Sequence, residues 1–252
     1  MIVYSKQRLT IAEFHFNEQG TPPAVDIIRY QSRPEKVAGT FCYPFSTILI
    51  DLRQEDDVLL SEMSKTTRNE IRRAAKDNLS FEFIALPDDS QVNEFFEFYD
   101  AFAGLKGLPK LNRARILGMR DCNSLVLTRI RAEDGTVVVW HCYVHVDDCA
   151  RLVHSASLFR AVEKAQQAIN SRANRYLHWL DMVHLRGQGF STYDLGGWYS
   201  GQEDTEKLNV NRFKEGFGGR VAAQYNTDRG VTLKGVLAVQ LRRAVGLIRG
   251  HK

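Results

Sequence analysis

The sequence lacks any long apolar segment. Over its 252 residues, no apolar run approaches the roughly 20 residues that a helix needs to span a bilayer. The first 16 residues also lack the basic start followed by an apolar stretch that marks a secretory signal. We therefore expect no transmembrane segment and a cytoplasmic location. The length and the hydrophobic content of 44% suffice for a packed core.

Cysteine is also scarce. The chain has four cysteines, and none of them shows the paired spacing of a metal site: Cys42, Cys122, Cys142 and Cys149. In a cytoplasmic protein they are expected to be reduced and mostly buried thiols. We therefore expect no structural metal and no tightly bound cofactor, and no local motif singles out a catalytic cysteine.

Acidic residues are sparse near the end of the sequence. From Glu206 to Lys252, ten Lys or Arg residues stand against three acidic residues, a surplus of seven positive charges. Because the whole chain carries +4, the rest carries −3. A basic segment fits an anionic partner such as a nucleotide diphosphate, CoA, tRNA or a membrane surface. A solvated basic helix explains the same pattern.

Short β-type runs and helical periods alternate along the chain in an order that predicts a mixed fold. Strands are predicted at residues 9–16, 25–30, 47–52, 80–85, 125–131, 136–146, 151–159, 190–195 and 220–225. Helices are predicted at 56–63, 65–76, from 88 or 90 onward, 162–186, 208–215 and 233–248. The three strands between 125 and 159 are joined by turn-like residues and predict an antiparallel meander. This pattern predicts an α/β fold with a mixed, mainly antiparallel sheet flanked by helices and preceded by a short N-terminal β extension.

The most specific local signal pairs two short motifs. Residues 193–197 read Tyr-Asp-Leu-Gly-Gly, and residues 211–219 read Asn-Arg-Phe-Lys-Glu-Gly-Phe-Gly-Gly. A strand that runs into Gly196 and Gly197 lets the backbone turn and leaves room for a ligand, so both glycines are candidate substrate-binding residues. Lys214 follows in a short helix before the second glycine cluster, where its ammonium group is able to meet a carbonyl oxygen or a phosphate.

These two motifs resemble those of the FemAB-like aminoacyltransferases, relatives of the GNAT superfamily. Two further stretches, within residues 50–74 and 176–190, resemble the same family, so that the resemblance covers about residues 47–225 in the same order. It implies a GNAT-like fold. It also implies transfer of an acyl or aminoacyl group to an amine of a cell-envelope or polysaccharide precursor, such as an amino sugar or a peptide.

The resemblance also implies roles for individual residues. Lys214 corresponds to the family's lysine and would stabilise a developing oxyanion or bind an anionic substrate group. Asp194 would orient or deprotonate the attacking amine, or cap the adjacent loop through backbone hydrogen bonds. Phe213 and Tyr193 are candidate pocket residues, and for both of them simple packing in the core is the competing interpretation.

The chain departs from the family pattern in two places. Members that build peptidoglycan bridges have two GNAT-like halves, whereas here residues 1–46 form a reduced upstream half and 47–252 the catalytic domain. This difference puts lipid II, or its nucleotide precursor, in doubt as the acceptor. Residues 158–166 lack the glycines with which acetyl-CoA-dependent GNAT enzymes hold a pyrophosphate on backbone N–H groups. The co-substrate therefore stays open between aminoacyl-tRNA, which the motifs favour, and acyl-CoA, which the single-domain size favours.

A second group of polar residues lies in the predicted meander. Alternation along the strand places His141, Tyr143 and His145 on one face, next to His154 of the following strand. Such a face is able to line an acceptor pocket, with one histidine as base, or to lie simply beneath a covering helix. No carboxylate has a suitable metal-ligand spacing to these histidines, so a metal site is not expected.

A basic stripe runs along the predicted helix 65–76. Lys65, Arg68, Arg72 and Lys76 recur at three- and four-residue spacing. Together with the basic C-terminal segment, the stripe would flank a groove for a diphosphate or tRNA, which makes Arg68 and Arg72 candidate substrate-binding residues. A solvated helix face is the alternative.

Two other classes of function stay open. One is a catalytically idle GNAT-like module that binds RNA or another anionic partner through its basic surfaces. The other is peripheral membrane association through helix 233–248, for which packing against the sheet with solvated arginines is the competing interpretation. The sequence does not indicate the oligomeric state.

Overall fold

The computed structural model describes residues 1–157 and 164–249. The strands in these residues are β1 Ile2–Lys6, β2 Leu9–His15, β3 Ile27–Arg33, β4 Phe41–Asp51, β5 Ser80–Ile84, β6 Leu125–Arg131, β7 Val137–Val146, β8 Cys149–Ser157, β9 Thr192–Gly197 and β10 Arg220–Gly230. The helices are α1 Asp56–Glu62, α2 Lys65–Ala74, α3 Asp89–Lys106, α4 Arg113–Asp121, α5 Lys164–Gly187, α6 Thr205–Glu215 and α7 Leu233–Arg249.

The chain divides into two compact units. The smaller unit comprises Met1–Thr47, Arg113–Ser124 and Ala222–Lys252, and the larger unit comprises Ile48–Asn112 and Leu125–Val221. The smaller unit begins with nearly the same segment as the predicted N-terminal extension and adds two later segments. The division into an extension of residues 1–46 and a catalytic domain of residues 47–252 stays a prediction.

The smaller unit is built on strands β1, β2, β3 and β10. β1 and β2 are antiparallel, β2 and β3 are parallel, and β3 and β10 are antiparallel. Helix α4 packs closely on β1, where a Cβ atom at Gly118 would lie 2.6 Å from the carbonyl oxygen of Val3. Neither β1 nor α4 was predicted from the sequence. Both are short, and each buries its apolar side chains through contact with distant segments rather than through a long periodic pattern.

The larger unit contains the predicted meander. Strands β5, β6, β7 and β8 pair antiparallel in that order, and β9 joins β8 in parallel. Helix α5 covers the face of this sheet that carries His141. Helix α3 covers the opposite face, where the ring centroid of Phe95 lies 5.8 Å from that of Trp140. The prediction of a mixed, mainly antiparallel sheet flanked by helices is therefore confirmed.

Two helix starts follow directly from the sequence. The Ser64 hydroxyl accepts a hydrogen bond from the N–H of Thr67 at 3.1 Å and caps α2. Asp88 and Gln91 form a reciprocal capping box at the start of α3. In α2, the buried side chains are Thr67, Ile71 and Ala74, so that its basic residues face away from the core.

Candidate functional site

The candidate site lies in the larger unit, where β8 and β9 run side by side. The paired register of the two strands ends at Arg151 opposite Asp194, although β8 continues to Ser157 and β9 to Gly197. The predicted motif of residues 193–197 thus forms the end of β9 and the turn that follows it.

Gly196 and Asp194 shape this turn together. Gly196 adopts a φ of +75°, and a Cβ atom there would lie 2.8 Å from the carbonyl oxygen of Leu152. Asp194 is fully buried, and its Oδ1 accepts a hydrogen bond from the N–H of Gly196 at 2.7 Å. The space that a side chain at this position would occupy is thus already filled by the backbone at Leu152. This close approach and the positive φ explain the glycine without a bound ligand. Asp194 makes the loop-capping hydrogen bond that was one of its two expected roles.

Lys214 lies next to this turn. It belongs to the last turn of α6, and its ammonium group donates a hydrogen bond to the carbonyl oxygen of Gly197 at 2.5 Å. Burial lowers the pKa of Lys214 to about 8; the negative charge of Asp194 opposes this shift, and the positive charge of Arg151 adds to it. The Arg151 guanidinium in turn lies 3.8 Å from Oδ2 of Asp194. The two motifs that the sequence paired therefore meet at a cluster of one carboxylate and two cations.

A chain of buried hydrogen bonds begins beside this cluster. The His178 Nδ1 atom lies 2.7 Å from the Tyr193 hydroxyl, which lies 2.8 Å from the Tyr143 hydroxyl. Tyr143 donates to Oδ2 of Asp181, and the same carboxylate oxygen lies 2.8 Å from Nδ1 of His141. At the far end, the His141 Nε2 atom lies 2.8 Å from the side-chain oxygen of Asn174.

We assign the protons of this hydrogen-bond chain so that Tyr143 donates to Asp181, Tyr193 donates to Tyr143, and Nδ1 of His178 donates to Tyr193. The opposite order, in which Tyr193 donates to Nδ1 of His178, is the alternative that the tautomer of His178 distinguishes. Burial holds the pKa of His178 well below its ordinary value, and the charges of His141, Lys214 and Arg175 lower it further. His178 is therefore neutral near pH 7, and in the assigned tautomer Nε2 carries the lone pair.

Burial also changes the pKa of the two tyrosines in this chain of hydrogen bonds. It raises the pKa of both Tyr143 and Tyr193 well above the ordinary value, and the nearby Asp181 carboxylate raises both pKa values further. Both phenols therefore keep their protons at physiological pH. The second carboxylate oxygen of Asp181, Oδ1, is buried and has no hydrogen-bond partner among the described residues.

Phe213 closes one side of the His178 ring. Its ring centroid lies 5.7 Å from that of His178 and 5.3 Å from that of Phe217. The guanidinium of Arg175 lies 4.7 Å from the centre of the Phe213 ring, a cation–π contact. Phe213 thus packs against the residues of the candidate site and contacts both the His178 ring and Arg175.

Three other predicted site residues lie away from this chain of hydrogen bonds. The ring centroid of His145, towards the end of β7, lies 5.7 Å from that of Phe190. Arg68 donates to the carbonyl oxygens of Leu60, Ser61 and Met63 at the end of α1, which is a structural role. Arg72 is exposed on α2.

His154 lies on the opposite face of the sheet from His141. It pairs with Cys142 across β7 and β8, and its ring lies 4.9 Å from that of Tyr99 on α3. Its expected proximity to the polar face of His141 is therefore wrong. The reason is that cross-strand partners share a face, and Cys142 alternates with His141 along β7.

Sequence reasoning missed the polar residues that α5 contributes. Asn174, His178 and Asp181 follow one another at spacings of four and three residues, which places them on one face of the helix. The same face carries the buried Leu177 and Leu185. Polar side chains at helical spacing among core positions were the available signal, because buried polar groups need partners.

The larger unit also has an open cavity of about 540 Å³, lined mainly by the end of β4, the segment after it and the second glycine cluster. Among its described lining residues, Asp51 and Arg53 form an ion pair at 2.6 Å. None of the predicted site residues is among them. The hydrogen-bonded cluster at Lys214, where cations and a neutral imidazole meet, is therefore a better candidate for chemistry than this cavity.

Three further expectations concern a metal site, a pyrophosphate-binding loop and a membrane-spanning helix. Within residues 1–157 and 164–249, no cluster of three or more His, Cys, Asp or Glu side chains is arranged to hold a metal. The predicted absence of a pyrophosphate-binding loop concerns residues 158–166, of which 158–163 lie outside the described residues. The described helices include none with the length and apolar character needed to cross a membrane.

Comparison with known proteins gives relatives by structure only. No family model and no curated protein sequence matches the chain. FemX superimposes with a TM-score of 0.60 at 14% identity, covering 74% of this chain and 61% of FemX. The chain thus spans less than two thirds of FemX.

Two further structures match at similar levels. The C-terminal domain of a protein assigned as a lysylphosphatidylglycerol synthetase from Agrobacterium fabrum gives a TM-score of 0.51 at 13% identity, covering 84% of this chain and 70% of that one. L-PGS from Bacillus licheniformis gives 0.52 at 12% identity, with coverages of 87% and 73%. At these identities the likeness concerns the fold. The chain therefore shares the fold of FemX, as the resemblance of its motifs to the FemAB-like family implied.

Proposed function

We propose that this chain is a transferase that joins an activated acyl or aminoacyl group to an amine of a cell-envelope or polysaccharide precursor. The observation that carries the proposal is the cluster around Lys214, in which a half-buried lysine lies beside a buried carboxylate and a neutral histidine. The donor is aminoacyl-tRNA or acyl-CoA. The acceptor is an amine-bearing sugar or peptide precursor.

In the proposed reaction, the acceptor amine attacks the carbonyl carbon of the donor and forms a C–N bond. The C–O bond of an aminoacyl ester, or the C–S bond of a thioester, breaks as the tetrahedral intermediate collapses. Lys214 in its protonated form donates a hydrogen bond to the oxyanion of that intermediate. Such a donor contributes most where burial excludes water, and burial is the main reason for the lowered pKa of Lys214.

The amine must also lose a proton. We assign its acceptance to Nε2 of His178, because the hydrogen bond of Nδ1 to Tyr193 leaves that nitrogen with a lone pair. The positive charge that the ring then acquires is stabilised through Tyr193 and Tyr143 by the Asp181 carboxylate. The leaving oxygen or sulfur takes up the proton that His178 received, so that the ring is neutral again and the overall transfer balances.

Asp194 and the two glycines have supporting roles in this proposal. Asp194 orients the amine and, by holding the turn at Gly196, places the Gly197 carbonyl where it positions Lys214. Tyr193 and Phe213 position His178. His145, Arg68 and Arg72 stay candidate contacts for the more distant parts of the substrates.

The donor is tested first, because the two candidates differ in size and chemistry. Calorimetric titration with acetyl-CoA, with free CoA as control, measures binding of the smaller donor. In parallel, tRNA charged with radiolabelled amino acids is offered with nucleotide-linked amino sugars, peptide precursors and phosphatidylglycerol vesicles as acceptors. The lipid is included because one structural relative is assigned as a lysylphosphatidylglycerol synthetase. Its headgroup offers a hydroxyl group and no amine, so labelled phosphatidylglycerol would overturn the assignment of an amine as acceptor.

Once a product is found, Lys214→Ala is expected to lower kcat by about 10²–10³-fold, the loss typical for removal of an oxyanion donor. Lys207→Ala is the matched control, because Lys207 belongs to the same helix but is exposed and paired with Asp204 at 2.9 Å. Equal rates for both variants would remove Lys214 from the mechanism. Absence of product with either donor, combined with salt-sensitive RNA binding, would instead favour the non-catalytic module.

A further inference from the structure

Helix α7 in the smaller unit has one packed face. Gly235 lies against β3, so close that a Cβ atom would be 2.0 Å from the carbonyl oxygen of Asp26. Val239, one turn further on, is 1% exposed. These two residues fix which side of the helix faces the unit.

The opposite side of α7 is apolar and exposed. Leu233, Leu237 and Leu241 are 87%, 70% and 67% exposed, and Val245 continues the same four-residue spacing. At 3.6 residues per turn, Leu237 lies about 200° from both Gly235 and Val239, directly away from the packed face. The packing interpretation of helix 233–248 therefore describes the side with Gly235 and Val239, whereas the leucine stripe lies outside that contact. Exposed apolar stripes of this kind mark contact surfaces.

The charge around the stripe is of one sign. From Arg229 to Lys252 the chain has six Lys or Arg residues and no Asp or Glu. Lys234 and Arg242 are paired with Asp26 and Asp228 of the same unit. Asp228 also pairs with Arg29, so two guanidinium groups share one carboxylate beside the helix and a positive charge remains there. Arg229 is exposed as well.

We infer that α7 docks on the surface of a bilayer that contains anionic phospholipid. The apolar stripe would enter the interface between headgroups and acyl chains, while the basic residues meet lipid phosphates. A second copy of the chain is a poorer occupant, because it would bring a second helix of the same charge against the first. This surface belongs to the smaller unit and does not involve the Lys214 cluster.

The test is co-sedimentation of the full chain with vesicles of phosphatidylcholine, with or without phosphatidylglycerol. We expect binding to the phosphatidylglycerol vesicles that weakens as salt is raised, and little binding to phosphatidylcholine alone. The double variant Leu237→Glu/Leu241→Glu should reduce binding at least tenfold. Leu86→Glu is the matched control, because Leu86 is 73% exposed but lies elsewhere, and it should bind like the unchanged protein.

Three outcomes would overturn the inference. They are absence of binding to both kinds of vesicle, equal binding by the α7 double variant with an unchanged thermal midpoint, and a concentration-dependent dimer that the double variant abolishes. The last outcome would assign the stripe to self-association. Lys214→Ala should bind vesicles normally, so failure of the transferase proposal would leave this result unaffected.

Discussion

Glu13 in the smaller unit and Asp181 in the larger unit are both buried carboxylates, but they have different partners. In the smaller unit, Glu13 accepts hydrogen bonds from the Arg115 guanidinium and the Tyr4 hydroxyl, and lies 2.7 Å from Nε2 of His15. In the larger unit, the described partners of Asp181 are the phenol of Tyr143 and the imidazole of His141. Both acids are almost completely buried.

The difference lies in what the partners are able to do with a proton. Arginine keeps its charge at every accessible pH, so the Glu13 network is a fixed ion pair that holds two segments of the smaller unit together. Phenol and imidazole groups exchange protons, and the chain from Asp181 reaches a neutral histidine beside Lys214. The Glu13 network, in which an arginine donates directly to the carboxylate, therefore indicates stability, whereas the Asp181 network, whose described partners are all titratable groups, indicates chemistry.

The largest expected effect is on stability, in the smaller unit. Glu13→Gln leaves the mostly buried Arg115 without its counter-charge, and we expect a loss of about 3–5 kcal/mol in the free energy of unfolding. Chemical denaturation at pH 7 measures it. Asp51→Asn is the control, because the Asp51–Arg53 pair is exposed and its removal should leave the denaturation midpoint nearly unchanged.

The Glu13 effect should also depend on pH. Burial alone would raise the pKa of Glu13, but Arg115 and His15 hold it well below its ordinary value of 4.5. Because the folded-state pKa is lowered, the stabilisation is present above the unfolded-state value and is lost as pH falls through the folded-state value. The difference between Glu13→Gln and the unchanged protein should therefore shrink in acid. A constant difference down to the acid transition would contradict the ion-pair interpretation.

In the larger unit, the substitution that interrupts the corresponding hydrogen-bond network is Tyr193→Phe. This change removes the hydroxyl between His178 and Tyr143 while keeping the ring. We expect kcat to fall by about 10²-fold, the lower range for loss of assisted proton transfer. The free energy of unfolding should fall by about 1–3 kcal/mol, because two buried polar groups lose a partner.

The tautomer of His178 gives a readout that does not depend on substrates. Nitrogen-15 NMR of labelled protein should show His178 with a protonated Nδ1 and an unprotonated Nε2 near pH 7 in the unchanged chain. In Tyr193→Phe, this preference should be lost. A hydrogen on Nε2 in the unchanged protein would mean that Tyr193 donates to His178, and it would remove His178 as the proton acceptor.

A smaller effect concerns the ammonium group of Lys214, whose protonation should set the pH dependence of kcat. Lys214 titrates with a pKa of about 8, so its protonated form predominates below that pH and is lost above it. If the ammonium is the oxyanion donor, kcat should be about half its plateau value at pH 8 and fall further as pH rises. Lys214→Arg, which keeps its charge, should remove this decline even if the rate is lower. A rate that rises through pH 8 would assign the neutral amine as the active form.

How much of this was predictable from the sequence differs between the two networks. The link between Asp194 and Lys214 was accessible, because both lie in specific motifs. Residues of the meander, such as His141 and Tyr143, were accessible through strand alternation. Asp181 was not identified, because its partners are 38 and 40 residues away and only the packing of α5 on the sheet brings them together.

The Glu13 network was invisible to sequence reasoning for a related reason. Arg115 is 102 residues from Glu13, and it lies on a helix of nine residues that was not predicted. A lone glutamate in a strand and an arginine in an unassigned segment have no local pattern in common. Periodicity indicates that a position is buried, but not which distant group satisfies it.

The smallest expected effect comes from Tyr4→Phe, the same chemical deletion as Tyr193→Phe but made in the other network. Tyr4 donates to Glu13 at 3.0 Å, yet the carboxylate keeps Arg115 and His15 when the hydroxyl is gone. We expect a loss of about 0.5–1.5 kcal/mol in the free energy of unfolding and no change in kcat. Denaturation and the transfer assay, run beside Tyr193→Phe, measure both. If Tyr4→Phe lowered kcat as much as Tyr193→Phe, the separation of a structural network from a catalytic one would be wrong.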